Sequence, residues 1–168
     1  MPPTHLRVFF GHDYFGGNAG LLRAYRRKIE RGCWAAGRSL GLTIEALYGN
    51  TKLTAELLAE IRGAGGDMAG IRHGSFWPRI EGLIRVSEFA IFDLTLPGGS
   101  DAEVNWNVLM ELGVARGARL PLRALVRNRQ AVLKRLTNMA DAQIEECSDM
   151  QQLGALVKEL IVAFQGGR

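Results

Sequence analysis

The sequence is short of the features that staple, tether or export a chain. Its 168 residues hold two cysteines, Cys33 and Cys147. That is too few for a disulfide framework or a structural zinc site, and it fits two reduced thiols in a cytoplasmic protein. No charged segment followed by an apolar stretch opens the chain, so no secretory leader is expected. No apolar run nears the ~18 residues of a spanning helix, so no membrane role is expected either. Repeats and low-complexity tracts are absent, and the five prolines form no linker, so residues 1–168 are expected to make a single domain. His5, His12 and His73 are too scattered for a metal motif, and neither His-x3-His nor Cys-x2-Cys occurs. No Gly-x-Gly-x-x-Gly or phosphate-loop signature is present, so the motif-defined nucleotide classes find no support.

What is present is ordinary globular material. Hydrophobic residues make up 47% and charged residues 23%, which excludes disorder. A chain of this size buries about 70% of the surface its unfolded form exposes, enough for a core without staples. The net charge is +4. This mild excess suits an anionic small molecule but is a weak footprint for nucleic acid. Arg23, Arg27 and Arg31 recur every fourth residue, flanked by Arg26 and Lys28. With no aromatic residues interleaved, the stripe reads as a solvated helix face.

Apolar patterning predicts strands at residues 6–10, 42–48, 89–94 and 121–127, with a short last strand at 143–147. Helical spacing covers 21–40, 76–87 and 103–117. Two further helices are expected, one capped by Thr51 and running to residue 62, the other capped by Asp149 and running to residue 164. Residues 128–142 stay ambiguous. Strands alternating with helices imply a mostly parallel sheet. Ligands of such sheets lie beyond the carboxyl ends of the strands, where the strand order switches. That rule points to residues 11–18 and to the loop after 89–94.

The second region carries the sharper signal. At 100° per residue, Val104, Val108, Ala115 and Ala118 fall within about 60° of Glu111, and Asn107 lies a turn before it. Leu109 and Met110 occupy other faces, so the helix should be apolar nearly all round and buried. A carboxylate there must find a partner or face a cavity. Glu111 is therefore either paired with an arginine or directed into a pocket, where it can attack an electrophilic sugar carbon. Asp93 either caps backbone amides together with Thr95 or touches ligand. In the first loop, Gly11, Gly16 and Gly17 allow close backbone approach to phosphate. Tyr14 or Phe15 can stack on a base, and His12 or Asp13 can bind a ribose hydroxyl or move a proton. The plainer alternative is a turn whose aromatics plug the end of the sheet. Trp77 and Trp106 read as core or interface residues rather than base platforms.

The run Phe92-Asp93-Leu94-Thr95, then Asn107-Val108-Leu109-Met110-Glu111-Leu112-Gly113-Val114-Ala115, resembles the nucleoside 2-deoxyribosyltransferase superfamily and the related TIR-like nucleotide-binding proteins. The resemblance implies an α/β fold, a flavodoxin-like three-layer sandwich with a mostly parallel five-stranded sheet. It puts Glu111 at the nucleophile position and matches Asp93, Thr95 and Asn107 to family positions. It implies cleavage or transfer at the N-glycosidic bond of a nucleoside, nucleotide or NAD, with no metal and no separate cofactor, and a homo-oligomeric state. The first loop, Gly11-His12-Asp13-Tyr14-Phe15, departs from the family's Gly-Pro loop and from the Ser-Tyr pair of TIR domains. A non-catalytic nucleotide sensor with the same pocket is the rival expectation. An ion-paired Glu111 would favour the sensor, and an unpaired one the enzyme.

Overall fold

A computed structural model describes residues 4–136 and 143–167. Five strands run β1 (His5–Gly11), β2 (Thr43–Tyr48), β3 (Phe89–Asp93), β4 (Leu122–Val126) and β5 (Ile144–Glu146). The helices are α1 (Ala19–Leu40), α2 (Ala55–Gly63), α3 (Met68–Arg72), α4 (Phe76–Arg85), α5 (Trp106–Gly117), α6 (Arg129–Arg135) and α7 (Leu153–Gly166). The strands form one sheet in the order β2-β1-β3-β4-β5, every neighbouring pair parallel.

The period-two pleat sorts side chains into two cores. Leu6, Val8 and Phe10 of β1, Phe89 and Ile91 of β3 and Leu125 of β4 pack on one face with Tyr25, Ile29 and Cys33 of α1 and Val157 and Ile161 of α7. Phe9, Ala90, Phe92, Ala124 and Val126 face the other way, against Leu57 and Ile61 of α2, Ile80, Leu83 and Ile84 of α4 and Val108 and Leu112 of α5. The result is the expected α/β three-layer sandwich of flavodoxin-like strand order. Because the chain leaves β1 towards β2 and then returns to β3 on the opposite side, the crevice between β1 and β3 is the switch point.

On the first face, α1 and α7 touch through glycines. A Cβ on Gly32 would lie 2.5 Å from the Gly154 carbonyl oxygen and 2.9 Å from Val157. A Cβ on Gly154 would lie 3.0 Å from the Lys28 carbonyl oxygen. The two backbones meet where no side chain fits.

Element ends differ from the sequence expectation in several places. Thr54, not Thr51, caps α2, its Oγ1 accepting from the Leu57 N–H at 3.2 Å. Thr51 Oγ1 instead accepts from the Tyr48 N–H at the end of β2. The five-residue α3, capped by Asp67, is too short to leave a periodic signal. Residues 128–142 contribute α6, capped by Asn128, and residues 137–142 lie outside the described residues. Asp149 accepts from the Gln151 N–H in a turn ahead of α7 rather than capping that helix. The helix expected from residue 103 starts at Trp106, because Val104 is drawn into an antiparallel bridge with Thr95. Nor is α5 buried all round: Trp106 and Met110 are exposed, and its buried stripe is Val108, Glu111, Leu112 and Ala115.

Candidate functional site

At the switch point, β1 ends at Gly11 and α5 rises opposite. Gly11 pairs with Phe92 of β3. A Cβ there would lie 2.4 Å from the Phe92 ring and 2.8 Å from Glu111 Oε2. The bare backbone of Gly11 is therefore what lets the Glu111 carboxylate reach the strand end. Glu111 is only 5% exposed. No described residue gives it a hydrogen bond or an ion pair, and burial alone pushes its carboxyl up to about 7. It lines a cavity of about 340 Å³ with His12, Asp13, Tyr14, Asn107, Phe76 and Trp77. That volume is at the small end of the ~300–1,000 Å³ usual for small-molecule sites.

The first loop is built around His12. Its ring is buried against Tyr14, Phe15, Tyr25 and Tyr48, with centroids 5.0–6.5 Å away. Arg26 Nε donates to Nε2 at 3.3 Å. A guanidinium only donates, so Nε2 accepts and Nδ1–H donates to the Asp13 carbonyl at 2.6 Å. Burial pulls the imidazole down to about 4. His12 is thus a neutral core histidine with both nitrogens engaged. Arg26 lies over the Tyr48 ring at 4.2 Å and donates to Asn50 at 2.8 Å. It has left the exposed stripe of Arg23, Arg27 and Arg31.

Asp13 is held from two sides. Its Oδ1 accepts from the Phe15 N–H, and its Oδ2 accepts from Asn105 Nδ2 at 2.5 Å. Phe15, Gly16 and Gly17 then turn the chain with φ of 53°, 59° and 83°. Asp13 also lines a second, smaller space of about 120 Å³, together with Phe15, Tyr25, Asp93, Thr95 and Arg127. There Asp93 Oδ2 accepts from the Tyr25 hydroxyl at 2.7 Å and Oδ1 from the Thr95 N–H at 3.0 Å. Burial raises the Asp93 carboxyl against the pull of these bonds. The same burial, with Asp93 beside it, raises the Tyr25 hydroxyl.

The residues singled out by sequence therefore divide. His12, Asp13, Tyr14, Asn107 and Glu111 line the larger cavity, with Gly11 beneath Glu111. Phe15, Asp93 and Thr95 line the smaller one. Thr95 meets Asp93 through its backbone N–H, as the capping alternative has it. Two lining residues, Asn105 and Phe76, went unrecognised, and a third, Trp77, is one that the sequence reads as core or interface. Asn105 is buried and caps α5, its Oδ1 accepting from the N–H groups of Asn107 and Val108 at 3.0 and 3.3 Å. An asparagine just before the periodic run was the available signal. Phe76 and Trp77, 48% and 38% exposed, overlook the larger cavity, and Trp106 is 67% exposed. Neither tryptophan is core. No group of three or more His, Cys, Asp or Glu among the described residues is placed to hold a metal ion. No described helix is long and apolar enough to cross a membrane.

No protein-family model and no curated protein matches the sequence. Among solved structures, a 2-deoxyribosyltransferase from Leishmania mexicana superposes with a TM-score of 0.51 at 13% identity, covering 92% of this chain and 97% of that one. A rubredoxin oxygen:oxidoreductase from Desulfovibrio gigas gives a TM-score of 0.43 at 10% identity, covering 98% of this chain but 37% of that one. The first likeness establishes a shared fold. The second carries no weight.

Proposed function

We propose that this chain acts on the N-glycosidic bond of a nucleoside or nucleotide, by hydrolysis or by transfer, with Glu111 meeting the sugar. The observation that carries this is an unpaired glutamate, 5% exposed, in the wall of a cavity at the switch point of a parallel sheet. An unpaired buried carboxylate costs stability and is kept where it has work to do. The aromatic groups Tyr14, Phe76 and Trp77 share that cavity and offer faces to a planar base. The deoxyribosyltransferase fold of the Leishmania mexicana protein is in accord with this.

The chemistry needs little else. The ionised Glu111 carboxylate attacks the anomeric carbon, and the bond from that carbon to the base nitrogen breaks. The base leaves with the electron pair and takes up a proton. A glycosyl ester on Glu111 remains. Water attacking its anomeric carbon gives hydrolysis, and a second base gives transfer; either frees the carboxylate. Asn107 lines the same cavity, and in this reading its side-chain amide holds a sugar hydroxyl.

The test is chromatographic release of base from nucleosides, nucleoside monophosphates, deoxynucleosides and NAD, wild type beside Glu111→Gln. Release that vanishes in the variant is expected. No release from any of them, combined with thermal stabilisation by a nucleotide, would replace the enzyme with a sensor.

A further inference from the structure

The smaller cavity is lined by a cation, Arg127, that is near enough to Asp93 to favour its ionised form. Arg127, the residue after β4, is half-buried there. Among the described residues its guanidinium makes no hydrogen bond and no ion pair, although it offers five donors. Two carboxylates line the same space, Asp13 and Asp93, yet all four of their oxygens already accept. Asp13 takes the Phe15 N–H and Asn105, and Asp93 takes the Thr95 N–H and Tyr25. Thr95 and Ser148, at the carboxyl ends of β3 and β5, line it too. Its 120 Å³ is well below the ~300 Å³ at which small-molecule sites usually begin. That suits a compact, multiply charged acceptor rather than a second nucleoside. Asp13 lines both cavities, so the two spaces share a wall at that side chain.

We infer that the smaller cavity is an anion subsite, in which Arg127, with Thr95 and Ser148, takes the phosphate of a sugar phosphate whose ring lies against Glu111. Placing the ring rests on the glycosidic reading above; placing the anion rests on the cavity alone. Three phosphate oxygens meeting a planar fork of donors and two hydroxyls make a complementary set. The preferred substrate class is then the nucleoside 5′-monophosphate rather than the free nucleoside.

Calorimetric titration of the intact protein with ribose 5-phosphate, ribose and inorganic phosphate tests this. Ribose 5-phosphate should bind at least about tenfold more tightly than ribose. Arg127→Gln should remove most of that preference, and Arg127→Lys, which keeps the charge, should restore part of it. Arg23→Gln, which removes the same charge from the exposed stripe, should leave the preference intact. Equal affinity for ribose 5-phosphate and ribose overturns the subsite. So does a preference that survives Arg127→Gln. Inorganic phosphate binding as tightly as ribose 5-phosphate would show a free-anion site and overturn the link to the sugar. The two ideas fail separately. An Arg127-dependent preference without release of base from any substrate removes the glycosidic chemistry and leaves the subsite. Release of base without the preference does the reverse.

Discussion

A carboxyl group with no partner in an apolar wall answers to pH twice over. Burial raises Glu111 to about 7 from an ordinary 4.5. The folded state therefore binds more protons than the unfolded one between those values, so this group's contribution to stability falls as pH rises from about 4.5 through 7. At one pKa unit per 1.36 kcal/mol, its full cost above pH 7 is about 3 kcal/mol at most. Glu111→Gln should accordingly melt higher than wild type at pH 8–9, with the gap closing towards pH 5, in scanning calorimetry. The proposed activity should have the opposite slope. As a nucleophile Glu111 must be ionised, so kcat/KM should rise through about pH 7; a fall over that range would make it the acid instead. His12 is the mirror case. Held down to about 4 from 6.5, it contributes stability that is complete above 6.5 and lost as pH drops towards 4. Glu111 was legible in sequence because a lone carboxylate on an apolar stripe stands out. The state of His12 was not, because it depends on Arg26 reaching across from α1, and helical periodicity does not report where a long side chain bends.

Glu111 is only as well placed as α5, and α5 is pinned at its first turn. Asn105 caps two of its amides and ties Asp13 to the helix. Asn105→Ala should lose the cap, about 1–2 kcal/mol, which at ~2–4 °C per kcal/mol lowers Tm by roughly 2–8 °C. It should also lower kcat/KM, because both Asp13 and Glu111 lose a common anchor; a Tm drop with unchanged kinetics would separate cap from site. The existence of this helix and the face of Glu111 were readable from spacing. Its start was not, since the Thr95–Val104 bridge is a contact across a loop that composition cannot announce. The same limit hid α3 and misplaced the cap of α2, where Thr51 and Thr54 both suit the role and only packing chooses between them.

Across the molecule the two ends of the sheet are used differently. The ion pairs among described residues gather at the amino ends of the strands: Arg7 with Glu45 and Glu60, His5 with Glu45, and Arg85 with Glu81 at the end of α4. The unpaired Glu111 and Arg127 sit at the carboxyl ends. The paired charges and the proposed chemistry are thus physically apart. Arg7→Gln should cost about 1–2 kcal/mol, since its side chain is only 19% exposed and bonds two carboxylates. Its kcat/KM should match wild type at temperatures where it is folded; lost activity would show that the two ends are coupled. The parallel sheet was legible from strand–helix alternation alone. The outward turn of Phe76 and Trp77 was not. Ile80, Leu83 and Ile84 fix which face of α4 is buried, but whether the first turn overhangs a cavity depends on the loop across from it.

The glycine contact between α1 and α7 sets a timetable as well as a distance. Among the described residues these helices form the most extensive helix–helix contact, and they lie far apart in the chain. Without α7, Phe89 and Ile91 of β3 and the side of α1 that meets α7 lose cover, and the long stretch between the two helices must close before their contact repays it. The α1–α7 contact is therefore expected to form after the local β1–α1–β2 unit, and a chain truncated before α7 should be more sensitive to proteolysis than the intact one.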